Sequence, residues 1–291
     1  MKIKKTGSDR VLDLVCYSII IIFCASVIIP FWNVFTQSIT PKAELTLDFK
    51  LFPKHPDGSA WEIVLKSGYM WQCFKNTVIR TILGTVISLV MCVTFTYPLS
   101  RDEFPAGKFL LTLLTITMFF SGGLIPTYLN ISELGLMDTV WALVIPGSLS
   151  AFNCILLKNF FKQLPEGLVE AAKIDGANDI LILYKIILPL SLPILATLAL
   201  WSVVGHWNEW FNALLYINDR GKYVLQIMIR ELQTTVAAIT EGGAGVDASQ
   251  APPSEAIVAS SNLFAILPII LIYPFMQKYF VSGLTIGGIK G

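Results

Sequence analysis

The chain has 291 residues, 54% hydrophobic and only 14% charged, with a mean hydropathy of +0.67. A soluble domain carries roughly 25% charged residues, so the polar groups here cannot cover a globule and much of the surface must face lipid. The net charge of +1 at pH 7 removes the electrostatic case for a nucleic-acid partner. The expected class is an all-α integral membrane protein.

A helix needs about 20 mostly apolar residues to cross the roughly 30 Å hydrocarbon core. Six stretches qualify: 14–34, 77–99, 109–128, 140–157, 190–215 and 256–275. They predict one transmembrane domain, 14–291, behind a cytoplasmic N-terminus, 1–13. The first stretch is longer than the 7–15 residues of a signal-peptide core, so it is expected to be retained. Lys and Arg decide the orientation. The N-terminal tail carries Lys2, Lys4, Lys5 and Arg10, and the loop 158–189 carries Lys158, Lys162, Lys173 and Lys185. The loop 129–139 has neither residue type. Both termini are therefore expected in the cytoplasm. The 5 cysteines sit in or beside apolar runs at no metal-ligand spacing and are read as small packing residues. No metal or cofactor is expected.

On the outer side, the loop 37–73 mixes Pro, Gly, aromatics and both charge signs, and is expected to fold over the helix ends. In the loop 217–255, the part 241–255 (EGGAGVDASQAPPSE) has the composition of a mobile extracellular segment. Arg80 in the second stretch either snorkels to the outer headgroups or pairs with an acid of the outer loops. Near the outer end of the third stretch, Gly122, Gly123 and Pro126 admit two readings. Either they break the helix, as at transporter sites with discontinuous helices, or the small residues allow close helix packing, the preferred reading.

For an ion relay only Arg80, His206 and Glu209 are near candidates. The phosphate-binding pattern G-x-x-x-x-G-K-[ST] is absent: Gly107-Lys108 is followed by Phe109, with Asp102 where the first Gly should stand. There is no H-E-x-x-H, no nucleophile elbow and no close pair of intramembrane carboxylates. The chain is therefore not expected to bind ATP through that phosphate-binding pattern, which leaves a membrane enzyme or an ion-coupled carrier open as rivals.

The loop 158–189 does not have a linker's composition. Pro165 suits a first helical turn, and Glu166 and Glu170 favour the positive end of the helix dipole. Leu168, Ala171, Ala172 and Asp175 follow helical spacing. Gly176 supplies a left-handed stop, and Asn178 or Asp179 caps a second helix running to Leu188. Pro189 and Pro193 break or kink the entry to the fifth stretch. Residues alone leave two roles open: a docking element whose alanines admit a close partner and whose Glu170 forks to a partner arginine, or an amphipathic helix resting on headgroups.

The run Glu170-Ala171-Ala172, three residues, Gly176, nine residues, Ile186, one residue, Leu188-Pro189 resembles the EAA loop of ABC importer permeases. The text EAAKIDGAND, with Asp175, Gly176 and Ala177, is similar to the carbohydrate-uptake, maltose-type branch. So are Phe120-Ser121-Gly122-Gly123-Leu124-Ile125-Pro126, Trp207-Asn208-Glu209-Trp210 and the tail from Gln277 to Thr285 and Lys290-Gly291. FSGGLIPTY resembles the subgroup that handles oligosaccharides with a binding lipoprotein. The resemblance implies the type I ABC importer fold in a bacterial cytoplasmic membrane. It implies that Glu170, Ala171, Ala172, Asp175, Gly176, Ala177 and Pro189 couple to a cytoplasmic ABC ATPase dimer, with Glu170 paired to a basic ATPase residue. It also implies a second homologous permease chain, an extracellular solute-binding lipoprotein and an oligosaccharide cargo.

The fifth stretch holds Trp201, His206, Trp207, Asn208, Glu209 and Trp210. Polar groups at membrane depth face a cavity or a partner, so His206, Trp207, Asn208 and Glu209, with Gly122 and Gly123, are candidates for the substrate pathway. An interfacial aromatic belt is the competing reading, preferred for Trp201, and helix packing competes for His206. The alternatives of another class are an ion-coupled secondary carrier and an ABC permease for a non-sugar solute such as a peptide.

Overall fold

A computed structural model describes residues 7–41, 51–240 and 255–287. Among these, every regular element is helical: α1 Gly7–Ser38, α2 Ser59–Lys66, α3 Gly68–Leu99, α4 Gly107–Phe119, α5 Leu124–Glu133, α6 Val140–Val144, α7 Ala151–Gln163, α8 Glu166–Ile174, α9 Asp179–Leu190, α10 Leu192–Asn208, α11 Phe211–Tyr216, α12 Leu225–Thr240 and α13 Glu255–Gly287. Three helices, α1, α3 and α13, are long and apolar enough to cross a membrane. Two bent pairs bring the number to five if each counts as one span.

The expected stretches differ from the helices mainly where the chain breaks. The stretch 109–128 divides into α4 and α5, which meet at 117°. Gly123 has φ 87°, a conformation closed to most side chains, and its N–H donates to Ser121 Oγ at 3.1 Å. A Cβ on Gly122 would find only Pro126, at 4.0 Å. The small residues therefore make a corner, and the preferred expectation of close packing is corrected. The stretch 140–157 divides at Pro146-Gly147, and Ser150 then caps α7 by accepting the Asn153 N–H at 3.4 Å. The stretch 190–215 divides twice: α9 and α10 meet at 80° beside Ser191, and Glu209-Trp210 separates α10 from α11. Leu183–Ile187 forms a π-helical turn inside α9.

By contacts the chain divides into two units, residues 1–67 with 229–266, and residues 68–228 with 267–291. In the first, α1 presents an apolar window with no buried residue, as a lipid- or partner-facing helix must. Its end is tied by Trp61 Nε1–H donating to Ser38 Oγ at 3.2 Å and Ser260 Oγ–H donating to Ser38 O at 3.3 Å. The loop expected over 37–73 contains α2. Likewise α12 occupies part of the loop 217–255, whose Gly/Ala-rich part, 241–254, lies outside the described residues, as do Lys2, Lys4, Lys5 and Lys290.

In the second unit, α3 packs chiefly against α10 and α7. One apolar cluster joins Cys92, Tyr97, Cys154, Leu157, Phe161, Val169, Ile182 and Leu198, so Cys92 and Cys154 do pack as small apolar groups. A second joins Ile131, Ala142, Leu143, Ala213, Tyr216 and Ile227. These two clusters hold the elements that carry the candidate sites.

Candidate functional site

Two sites are built on the second unit. The first is the α8–α9 corner. Pro165, at φ −61° and ψ 120°, stands just before α8 rather than within its first turn. At the other end Gly176 has φ 80°. Its N–H donates to Lys173 O at 3.0 Å and that of Ala177 to Ala172 O at 2.9 Å. This paired closure is the Schellman pattern, which turns the chain sharply while satisfying the last carbonyls. Asn178 Oδ1 then accepts the Leu181 N–H at 2.8 Å and starts α9. Of the two caps left open by sequence, Asn178 is the one used.

Only one side of this corner is tied to the rest of the unit. Val169 is buried, and Ala172 and Ala177 pack against the larger apolar cluster. Lys173 Nζ reaches Glu103 Oε2 at 3.2 Å, and Lys162 Nζ reaches Asp102 Oδ1 at 2.6 Å. The Lys162 hydrogen bond, and then its charge, hold the Asp102 carboxyl below the usual aspartate value. Glu170, Ala171 and Asp175 face outward, as does Pro189. Ile174 is 87% exposed and Ile180 78%. Glu170 makes no ion pair among the described residues. A cavity of about 410 Å³ beside the corner is lined by Arg101, Glu103, Lys173, Asp179 and Ile180 among others. Arg101 covers the Tyr97 ring at 4.8 Å.

The second site lies where α3 crosses α10. Arg80 on α3 is 1% exposed, so the expectation that it snorkels to headgroups is corrected. It pairs with Glu209, which terminates α10 rather than belonging to an outer loop. Arg80 Nη1 donates to the Glu209 main-chain oxygen at 2.7 Å and Nη2 donates to its Oε2. Glu209 Oε1 accepts the Asn212 N–H at 2.6 Å, closing the first turn of α11. The helix break thus has its exposed backbone groups satisfied by one ion pair.

Two cavities adjoin this pair. One, called the outer cavity because it adjoins the loops expected outside, has a volume of about 380 Å³ and is lined by Asn76, Arg80, Asp138, Thr139, Leu143 and Lys222 among others. An inner one of about 320 Å³ is lined by Arg80, Ser88, Ser150, Asn153, Trp201, Ser202, His206, Glu209 and Asn212 among others. Polar side chains in such numbers on apolar helices face a cavity rather than lipid. The rim of the outer cavity is held by Asp138, whose carboxylate accepts the N–H groups of Asn218 at 2.6 Å and Asp219 at 3.0 Å.

Of the residues expected on the pathway, His206 and Glu209 line the inner cavity together. Trp207 is 4% exposed and meets Phe74 edge-on, with centroids 5.8 Å apart. Asn208 donates back to Val204 O of its own helix at 3.0 Å. Gly122 and Gly123 form the α4–α5 corner and line neither cavity. Trp201, preferred as an interfacial residue, lines the inner cavity beside Phe152, at 5.9 Å between centroids. Arg80, Ser88, Asn153, Trp201, Asn212 and Asp138 are among the lining residues that sequence reasoning did not assign to a pathway. The charge of Arg80 inside an apolar stretch was the available signal, since an intramembrane ionisable group carries a function by default.

The model of the family described as "Binding-protein-dependent transport system inner membrane component" matches residues 7–286. The chain belongs to that family. Protein LplC of Bacillus subtilis (strain 168) is 40% identical to this permease over 291 residues, covering 98% of this chain and 97% of that protein. The polygalacturonan/rhamnogalacturonan transport system permease protein YtcP of the same organism is 35% identical over 284 residues, covering 97% and 99%. Among solved structures, a bacterial ABC transporter involved in the import of the acidic polysaccharide alginate contains a chain 30% identical to the permease. That chain superposes with a TM-score of 0.83, covering 96% of the permease and 100% of itself. The permease is a membrane subunit without catalytic chemistry of its own, ATP hydrolysis belonging to a separate protein.

Proposed function

We propose that this permease forms, with a second homologous permease chain, the passage of an ATP-driven importer that receives an oligosaccharide from a binding lipoprotein. Six spans with cytoplasmic termini are α1, α3, α4 with α5, α6 with α7, α10 with α11, and α13. The distribution of Lys and Arg supports that orientation. The roles of the relatives, in import of alginate and in transport of polygalacturonan/rhamnogalacturonan, support an oligosaccharide cargo.

The observation that carries this reading is the α8–α9 corner. It is anchored on one side by Val169, Ala172 and Lys173, while Glu170, Ile174 and Ile180 face outward together. Exposed apolar groups rimmed by charge fit a protein partner better than water. In this role α8 sits in a cleft of the ATPase dimer, and Glu170 pairs with a basic residue there. Closure of the ATPase pushes α8. The Schellman turn at Gly176 passes the push to α9, and the 80° bend passes it to α10. Glu209 caps the far end of α10, so the same lever ends at the pair between the two cavities.

Purification of the tagged permease from mild detergent tests the assembly. It is expected to recover a second multi-span permease, an ATPase and a binding lipoprotein in constant proportion. Recovery of the permease alone, with ion-driven uptake by the purified chain, would instead support a self-sufficient carrier.

A further inference from the structure

A buried arginine must be neutralised wherever it stands in a transport cycle. Arg80 is 1% exposed and meets one carboxylate, that of Glu209. The fit is incomplete. The Nε–Nη2 edge of a guanidinium matches both oxygens of a carboxylate side-on. Here Nη2 donates to Glu209 Oε2, but Nε has no acceptor among the described residues. Glu209 does not supply one: its Oε1 accepts the Asn212 N–H at 2.6 Å instead. Meanwhile Nη1 is held by the Glu209 main-chain oxygen at 2.7 Å, which fixes the plane of the group without using its side-on edge.

The position of this half-filled edge matters as much as its chemistry. Arg80 and Leu143 line both the outer and the inner cavity, and Arg80 is the charged one of the two. The other titratable groups around it are Asp138 and Lys222 in the outer cavity, and His206 and Glu209 in the inner one. Lys222 is already occupied, donating to Asp138 O at 3.0 Å.

We infer that Arg80 is a specificity-determining residue that reads a carboxylate on the cargo, so that this permease passes acidic, uronate-bearing oligosaccharides in preference to neutral ones. The inference rests on the oligosaccharide-permease reading. A uronate arriving from the outer cavity takes the Nε–Nη2 edge with both oxygens. Glu209 releases Nη2 and keeps the Asn212 amide, so neither charge is left without a polar partner. A neutral sugar offers hydroxyls only and cannot replace the charge that Arg80 would lose. Discrimination comes from that uncompensated step as well as from the new bond.

The test compares ATP-driven uptake of trigalacturonate and of its fully methyl-esterified form by the complete complex in proteoliposomes. The two probes share rings and linkages and differ in charge. The binding protein is the same in every sample, so a change in the acid-to-ester ratio belongs to the permease. Arg80→Gln is expected to lower that ratio by about tenfold or more, and Arg80→Lys, which keeps charge without the fork, to lower it less. If Arg80→Gln does not reach the membrane, Glu209→Gln serves: it weakens the internal competitor and is expected to raise the ratio. Equal loss of both probes in these variants would make the pair a structural latch and overturn the inference. Wild-type complex that imports maltotriose but prefers neither probe, or the ester, would overturn it while leaving the oligosaccharide reading intact. Import of no sugar at all would overturn both.

Discussion

The His206 ring on α10 lies so close to Gly84 on α3 that a Cβ at position 84 would fall 2.6 Å from its Cδ2 atom. Gly84 is one turn beyond Arg80, and His206 one turn before Glu209, so this contact sets how near the two charged residues can come. Gly84→Ala is expected to push α3 and α10 apart, at a cost of about 1–3 kcal/mol for overpacking. The measurement is the unfolding temperature of the purified permease in detergent. Gly84→Ala combined with His206→Ala should recover most of the loss. A double variant no more stable than Gly84→Ala alone would show that the imidazole is not what fills the space.

The α8–α9 turn makes a different demand. Gly176 at φ 80° admits asparagine at small cost and a β-branched residue at about 1–3 kcal/mol. Gly176→Val is expected to reduce uptake severely at normal membrane levels, and Gly176→Asn to retain most of it. Normal uptake by both variants would mean that the direction of this turn does not matter.

Asp138 gives a pH dependence whose sign is fixed. The amides of Asp219 and then Asn218 hold its carboxyl below the ordinary aspartate value of 3.8. Because the folded value is the lower one, the stabilisation is fully present above 3.8 and fades as pH falls through the folded value. Asp138→Asn keeps the shape, and asparagine tolerates the φ of 56° found here. Its unfolding temperature should lie below that of wild type at neutral pH, and the gap should close on strong acidification. A gap that stays constant with pH would contradict the assignment.

Trp201 lines the inner cavity with one face of its indole against Phe152. Aromatic contacts of this kind contribute about 1 kcal/mol, close to a fivefold effect. Trp201→Ala is therefore expected to slow uptake about fivefold at saturating binding protein, and Trp201→Phe to slow it less. Unaltered uptake in Trp201→Ala would return this residue to the interfacial belt.

Local chemistry was legible in the sequence; distant pairing was not. Gly176 and Asn178 carry their conformations in their own backbone preferences, so the α8–α9 corner could be placed residue by residue. The breaks at 120–123, at Pro146-Gly147 and at Glu209-Trp210 fall inside runs apolar enough to be single spans. When lipid replaces water outside a helix, the polar face that marks helix ends in soluble proteins disappears. Gly122 and Gly123 fit both a corner and a packing face; only the 87° φ of Gly123 decides between them. Arg80 and Glu209 are separated by 129 positions, and no local period connects them. The lone charge of Arg80 announced that a partner must exist, without naming it.

The coupling role of α8 is tested most directly by placing cysteine at Ile174, which is 87% exposed, in a permease whose native cysteines are replaced. The assembled importer is then treated with a short bifunctional thiol cross-linker during ATP turnover. The account predicts a cross-linked product with the ATPase subunit carrying a cysteine in its cleft, and strong protection of position 174 from maleimide in the assembly. Full maleimide labelling throughout turnover, with no cross-link from any cleft position, would contradict it.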